Sequence, residues 1–136
     1  MELNRKCILV VDDVPAIYSL LAEYLENKGF KVWTANKVPD ARDLLATRQF
    51  SAVITNLRLD WSDYRGGLEV AAFAKSESPK TPVIVMSGAV ARDTMAQLTA
   101  LGVEAFVAKP APLHKLEGLV RELLVNRSRR ESMIFL

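Results

Sequence analysis

Short apolar runs alternate with longer amphipathic stretches along the chain. Residues Cys7, Ile8, Leu9, Val10 and Val11 are apolar throughout and stop at Asp12-Asp13, the mark of a strand buried on both faces. Ile17, Leu20, Leu21, Tyr24 and Leu25 follow at i, i+3, i+4, i+7 and i+8. That spacing predicts one helical face, with Pro15 near the helix start and Gly29 just past its end. The unit then recurs. Residues 30–35 read as a strand, and Pro39 opens a helix carrying Ala41, Leu44 and Leu45. Residues 52–55 read as a third strand, followed by a polar loop over residues 60–67 and a helix begun by Leu68, Val70, Ala71, Ala72 and Phe73. Residues 82–86 give a fourth strand; Met95, Leu98 and Leu101 mark a helix closed by Gly102. Residues 104–108 form a short fifth strand. Leu113, Leu116, Leu119, Val120, Leu123 and Leu124 stripe the last helix.

Five βα units imply an α/β fold with a parallel sheet and helices on both faces. Right-handed crossovers leave few topologies, and the flavodoxin-like (βα)5 arrangement is the usual one at this size. A five-stranded sheet in the order 2-1-3-4-5 is therefore expected, with residues 1–126 as one domain. Residues 127–136 form a charged and then apolar tail. Its last four residues, Met133, Ile134, Phe135 and Leu136, are open to three readings: fraying, docking on their own domain, or meeting a partner.

Composition narrows the setting. Of 136 residues, half are hydrophobic and a quarter charged, as in ordinary soluble domains. The one cysteine, Cys7, excludes an internal disulfide and reads as a small core residue. The polar start does not match a secretory leader, and no apolar run approaches the roughly 20 residues that span a bilayer. A cytoplasmic protein with no membrane partner is expected. A net charge of +2 makes no case for nucleic acid. The local basic residues Arg121, Arg127, Arg129 and Arg130 read as a solvated helix end.

Ligands of open parallel sheets bind beyond the carboxyl ends of the strands. Those ends carry Asp12-Asp13, Asn56, Ser87-Gly88 and Lys109-Pro110. Neighbouring strands lie about 4.8 Å apart, so two acids, an amide, a hydroxyl and a lysine converge on one rim.

With residues 8–13, 56–59, 67–69, 85–88 and 106–110 in this order, residues 5–126 resemble the receiver domain of two-component response regulators, the chemotaxis-regulator-like superfamily. The resemblance implies a signalling module and not an enzyme. It implies that Asp12 and Asp13 hold Mg²⁺, Asp13 directly, with the main-chain carbonyl of Arg58 as a further ligand. Ser87 matches the hydroxyl that bonds a phosphoryl oxygen and draws in the following loop. Lys109 matches the lysine that neutralises phosphoryl charge. Phe106 matches the aromatic rotamer switch, without a tyrosine hydroxyl, and Lys109-Pro110 matches a cis peptide. The partner implied is a histidine kinase or a downstream effector, met through the face of the fourth helix, fifth strand and fifth helix, with no direct nucleic acid contact. Met95, Gln97, Phe106, Leu113 and Lys115 are candidates for that face, and a homodimer through it is a further expectation.

Two departures stand out. The family's phosphoacceptor aspartate is replaced by Asn56. An amide oxygen is a poor nucleophile toward phosphorus, and losing one of three negative charges weakens Mg²⁺ binding. Asn56 is expected instead to accept a hydrogen bond from Lys109 and donate one to Asp12 or Asp13. The loop between Asn56 and Gly67 is also about three residues longer than usual and holds Asp60, Trp61, Asp63, Tyr64 and Arg65. The leading expectation is a pseudo-receiver that signals by contact. The alternatives are phosphorylation on Asp12, Asp13 or Asp60, or Asn56 as a block introduced into an ordinary receiver. A haloacid-dehalogenase-type phosphatase is disfavoured, since such enzymes separate their two aspartates by one residue. His114, early in the last helix, reads as an exposed residue.

Overall fold

A computed structural model describes residues 5–59, 65–89, 92–126 and 132–136. The elements run β1 (Cys7–Val11), α1 (Pro15–Asn27), β2 (Lys31–Ala35), α2 (Val38–Thr47), β3 (Ala52–Asn56), α3 (Gly66–Glu77), β4 (Val83–Ser87), α4 (Arg92–Leu101), β5 (Ala105–Ala108), α5 (Leu113–Asn126) and β6 (Ile134–Phe135). All sheet pairings are parallel. The order is β2-β1-β3-β4-β5-β6. The expected flavodoxin-like arrangement is present, but the sheet has six strands and not five. The added strand comes from the apolar tail, which docks on its own domain and extends the sheet beyond β5. A two-residue strand is too short for any periodicity to reveal.

The strands' apolar character follows from burial on both faces. Alternate side chains of one strand point to opposite faces, and the core divides accordingly. Leu9, Val11, Val53, Val83, Val85 and Phe106 join one cluster, packed with Ala41, Leu45, Val70, Ala71, Ala74 and Leu98 from α2, α3 and α4. Ile8, Val10, Ile54, Ile84, Met86 and Val107 join the other, with Leu21 and Leu25 of α1 and Leu116, Leu119, Val120 and Leu123 of α5. Cys7 packs at the edge of the first cluster.

The stripe on α1 is only half buried. Leu21 and Leu25 are in the core, whereas Ile17 is 38 % and Leu20 57 % exposed. Ile17, Leu20 and Leu21, with Ala16, Met86, Lys109, Pro110 and Ala111, border an apolar groove of about 620 Å³ between α1 and the start of α5. At the far end of α1, Arg121 is more than a solvated charge. Its guanidinium donates to the Lys28 carbonyl at 2.8 Å and to Glu117 at 2.9 Å. It also lies over the Phe30 ring at 4.8 Å, so it ties α5 to the end of α1. The Arg121 guanidinium beside Glu117 holds that carboxyl below its ordinary value.

Candidate functional site

The rim forms because consecutive strand ends are bonded in register. Asp12 N–H donates to the Ala35 carbonyl at 3.1 Å, Leu57 N–H to Met86 at 2.8 Å, and Lys109 N–H to Ser87 at 2.9 Å. The side chains that follow each strand are therefore delivered to one place.

Asp12 is buried, with one carboxylate oxygen 3.2 Å from the Lys109 ammonium. Its other oxygen accepts the Val14 N–H at 3.0 Å, which fixes the turn into α1. Asp13 is half-buried beside it. The expected meeting of lysine and acid, residues 97 positions apart, is present, and Lys109-Pro110 is a cis peptide.

Among the described residues, neither bond expected of Asn56 is formed. Lys109 goes to Asp12 and not to Asn56. The Asn56 amide donates instead to the Arg58 carbonyl at 2.5 Å. A two-residue reach to its own chain is a turn that Asn side chains favour; it needs less ordering than a contact across the rim.

Ser87 is buried. Its hydroxyl donates to the Ala89 carbonyl at 2.5 Å and accepts the Ala89 N–H at 3.2 Å, so it braces the loop after β4. Phe106 is 7 % exposed and lies on the first cluster, its ring 6.5 Å from that of Phe135. It is covered rather than displayed. Met95 and Leu113 are half-buried, and Gln97, Lys115 and His114 are exposed. Asp60, Trp61, Asp63 and Tyr64 lie outside the described residues, while Arg65 immediately precedes α3.

One feature of the site was not anticipated. Gly67 donates to the Leu57 carbonyl at 2.8 Å. A Cβ there would stand 2.1 Å from the Asn56 carbonyl oxygen and 2.5 Å from Leu57 Cα. The start of α3 thus rests directly on the backbone that presents Asn56. The sequence signal was the Gly66-Gly67 pair opening a helix, where glycine is otherwise unfavourable.

Both Asp12 oxygens have partners, the Arg58 carbonyl accepts the Asn56 amide, and no cluster of three His, Cys, Asp or Glu side chains occurs among the described residues. Among those residues, no helix is long and apolar enough to cross a membrane.

The response regulator receiver domain model matches residues 8–121. The chain is 32 % identical over 126 residues to the response regulator protein PilR of Pseudomonas aeruginosa, covering 93 % of this chain and 28 % of that protein. It is 33 % identical over 125 residues to the nitrogen assimilation regulatory protein NtrX of Azorhizobium caulinodans, covering 91 % of this chain and 27 % of that protein. It therefore spans less than a third of these relatives. A CheY-like receiver domain from Methanospirillum hungatei superposes with a TM-score of 0.85 at 22 % identity, covering 93 % of this chain and 98 % of that one. A response regulator receiver protein from Pseudomonas putida superposes with a TM-score of 0.77 at 30 % identity, covering 87 % of this chain and 97 % of that one. Strand order, the rim of Asp12, Asp13, Ser87 and Lys109, and these matches agree: the chain belongs to the response regulator receiver domain family, a family of two-component signalling modules.

Proposed function

We propose that this domain is a cytoplasmic pseudo-receiver: it signals by protein–protein contact and does not accept a phosphoryl group at residue 56. The observation that carries the reading is the state of Asn56. An aspartate there would offer a charged oxygen to attack phosphorus. The amide offers none, and its N–H group is committed to the Arg58 carbonyl at 2.5 Å. The positive charge of Lys109 is already balanced by Asp12 at 3.2 Å. The rim is thus closed on itself, and a partner shifts the domain between conformations by binding one of them better. The partner is a histidine kinase or a downstream effector. The activity of any longer protein that contains this domain belongs to the same proposal.

Mg²⁺ would be held by Asp13, Asp12 and the Arg58 carbonyl, and only weakly. It must compete with Lys109 for Asp12 and with the Asn56 amide for the carbonyl. Asn56→Asp adds a third carboxylate and frees that carbonyl. Unit charges about 4 Å apart interact by several kcal/mol even in partly screened surroundings. The variant is expected to bind Mg²⁺ at least about tenfold more tightly, about 1.4 kcal/mol, by titration calorimetry. It should also gain labelling by a small phosphodonor. A variant with unchanged Mg²⁺ affinity and no labelling would mean that the defect lies elsewhere in the rim.

A further inference from the structure

The two edges of the sheet are protected differently. β2 carries its own protection, since it begins with the exposed Lys31 and also exposes Thr34. Lysine on an edge strand discourages pairing with another chain. β5 reads Ala-Phe-Val-Ala, with no charge and no proline. An edge of that composition is a template for strand addition unless something covers it.

The cover is β6. Ile134 N–H donates to the Glu104 carbonyl at 2.9 Å, Leu136 N–H to Phe106 at 3.0 Å, and Ala108 N–H to the Leu136 carbonyl at 2.9 Å. Ala105 pairs with Ile134 and Phe106 with Phe135. Met133 packs on the first core cluster and Ile134 on the second, while Phe135 stays 61 % and Leu136 51 % exposed. This is the pattern of strand addition to a sheet edge, with the main chain giving affinity and alternate side chains giving selectivity. The added strand is short and half exposed, and it lies outside the residues matched to the receiver family. These are the features of a segment that opens locally without unfolding the rest.

We propose that the β5 edge is a strand-docking site, that residues 133–136 are its built-in and displaceable occupant, and that the site opens to the same segment of a second copy when the resident strand lifts. The occupant is the one sequence whose fit the edge already displays. The tail therefore controls access to Phe106, whose ring lies beside that of Phe135, 6.5 Å between centroids. Because a tethered segment competes at an effective concentration of order millimolar, docking from another molecule is suppressed until the tether's strand is weakened.

The test uses the full chain and a synthetic peptide of residues 132–136, Ser-Met-Ile-Phe-Leu, standing for the second copy's tail. Ile134→Pro removes the donor to Glu104, and Ile134→Asp removes the apolar contact with the second core cluster; neither alters a residue of β1 to α5. Both variants should remain folded and bind the peptide at least about tenfold more tightly than the unaltered chain does, with the largest amide shifts at Phe106 and Ala108. In the unaltered chain the Ala108 amide should exchange with solvent faster than that of Lys109, which is bonded within the body. Equal peptide affinity for variants and unaltered chain, shifts away from β5, or folded variants that do not bind would each overturn the proposal. Loss of folding in both variants would do so too, by making β6 part of the body.

Discussion

Replacing Gly67 by alanine is expected to lower stability by about 3 kcal/mol or more. The added methyl would meet backbone atoms, Asn56 O at 2.1 Å and Leu57 Cα at 2.5 Å, and no side-chain rotation relieves that. Overpacking a filled site costs about 1–3 kcal/mol, and moving α3 away also strains the bond from Gly67 to the Leu57 carbonyl, about 1 kcal/mol. Domains of this size are stable by only about 5–15 kcal/mol. Urea unfolding would measure the loss, and a change below about 1 kcal/mol would show that the contact is not as tight as described. Gly118→Ala is the matched control. It sits within α5 with nothing near the added carbon and should stabilise by about 0.5–1 kcal/mol.

The second large effect lies at the opposite rim. The Lys75 ammonium sits 2.5 Å from Glu104 and donates to the carbonyls of Thr81 at 3.0 Å and Pro79 at 3.2 Å. The other Glu104 oxygen accepts the Val83 N–H at 2.8 Å. The two side chains are only 10 % and 13 % exposed. This network ties α3 to the starts of β4 and β5. Lys75→Met removes the cation and leaves a buried carboxylate against the sheet. Breaking such a pair from one side costs about 3–5 kcal/mol. Adding Glu104→Gln should recover part of the loss, because the stranded charge goes with it. Strict additivity of the two changes would argue against a coupled pair.

The contrast between these two sites and the rim explains what the sequence revealed. Asp12 and Lys109 were legible as members of one rim, although 97 positions apart, because the parallel-sheet rule sends both to the same edge; their direct pairing was not, since Lys109 was expected to bond Asn56. Lys75 and Glu104 obey no such rule, and their meeting depends on where the end of α3 lands. The five βα units were legible because each strand is a short, mainly apolar run, β2 being the most polar of them, and the helices carry apolar stripes. The exposure of Ile17 and Leu20 was not, since a stripe shows which side of a helix is apolar and not how much of it has a neighbour. Gly67 was visible as a residue in the right place, but its contact with the Asn56 backbone exists only after α3 docks. The tail was legible as apolar and ambiguous. Its place on β5 depends on an edge that pattern alone leaves unpaired.

The choice of Asn56 is the hinge of the functional account, and its partners in the rim turned out differently from expectation. Its amide turns to the Arg58 carbonyl, while Asp12 pairs with Lys109 and accepts the Val14 N–H. Either arrangement has the same consequence for phosphoryl chemistry: no anionic oxygen stands at the end of β3.

The most direct test is to incubate the unaltered chain with Mg²⁺ and a small-molecule phosphodonor and read its intact mass and the modified residue. An unchanged mass is expected, under conditions where Asn56→Asp becomes labelled. Phosphate recovered on residue 56 of the unaltered chain would contradict it.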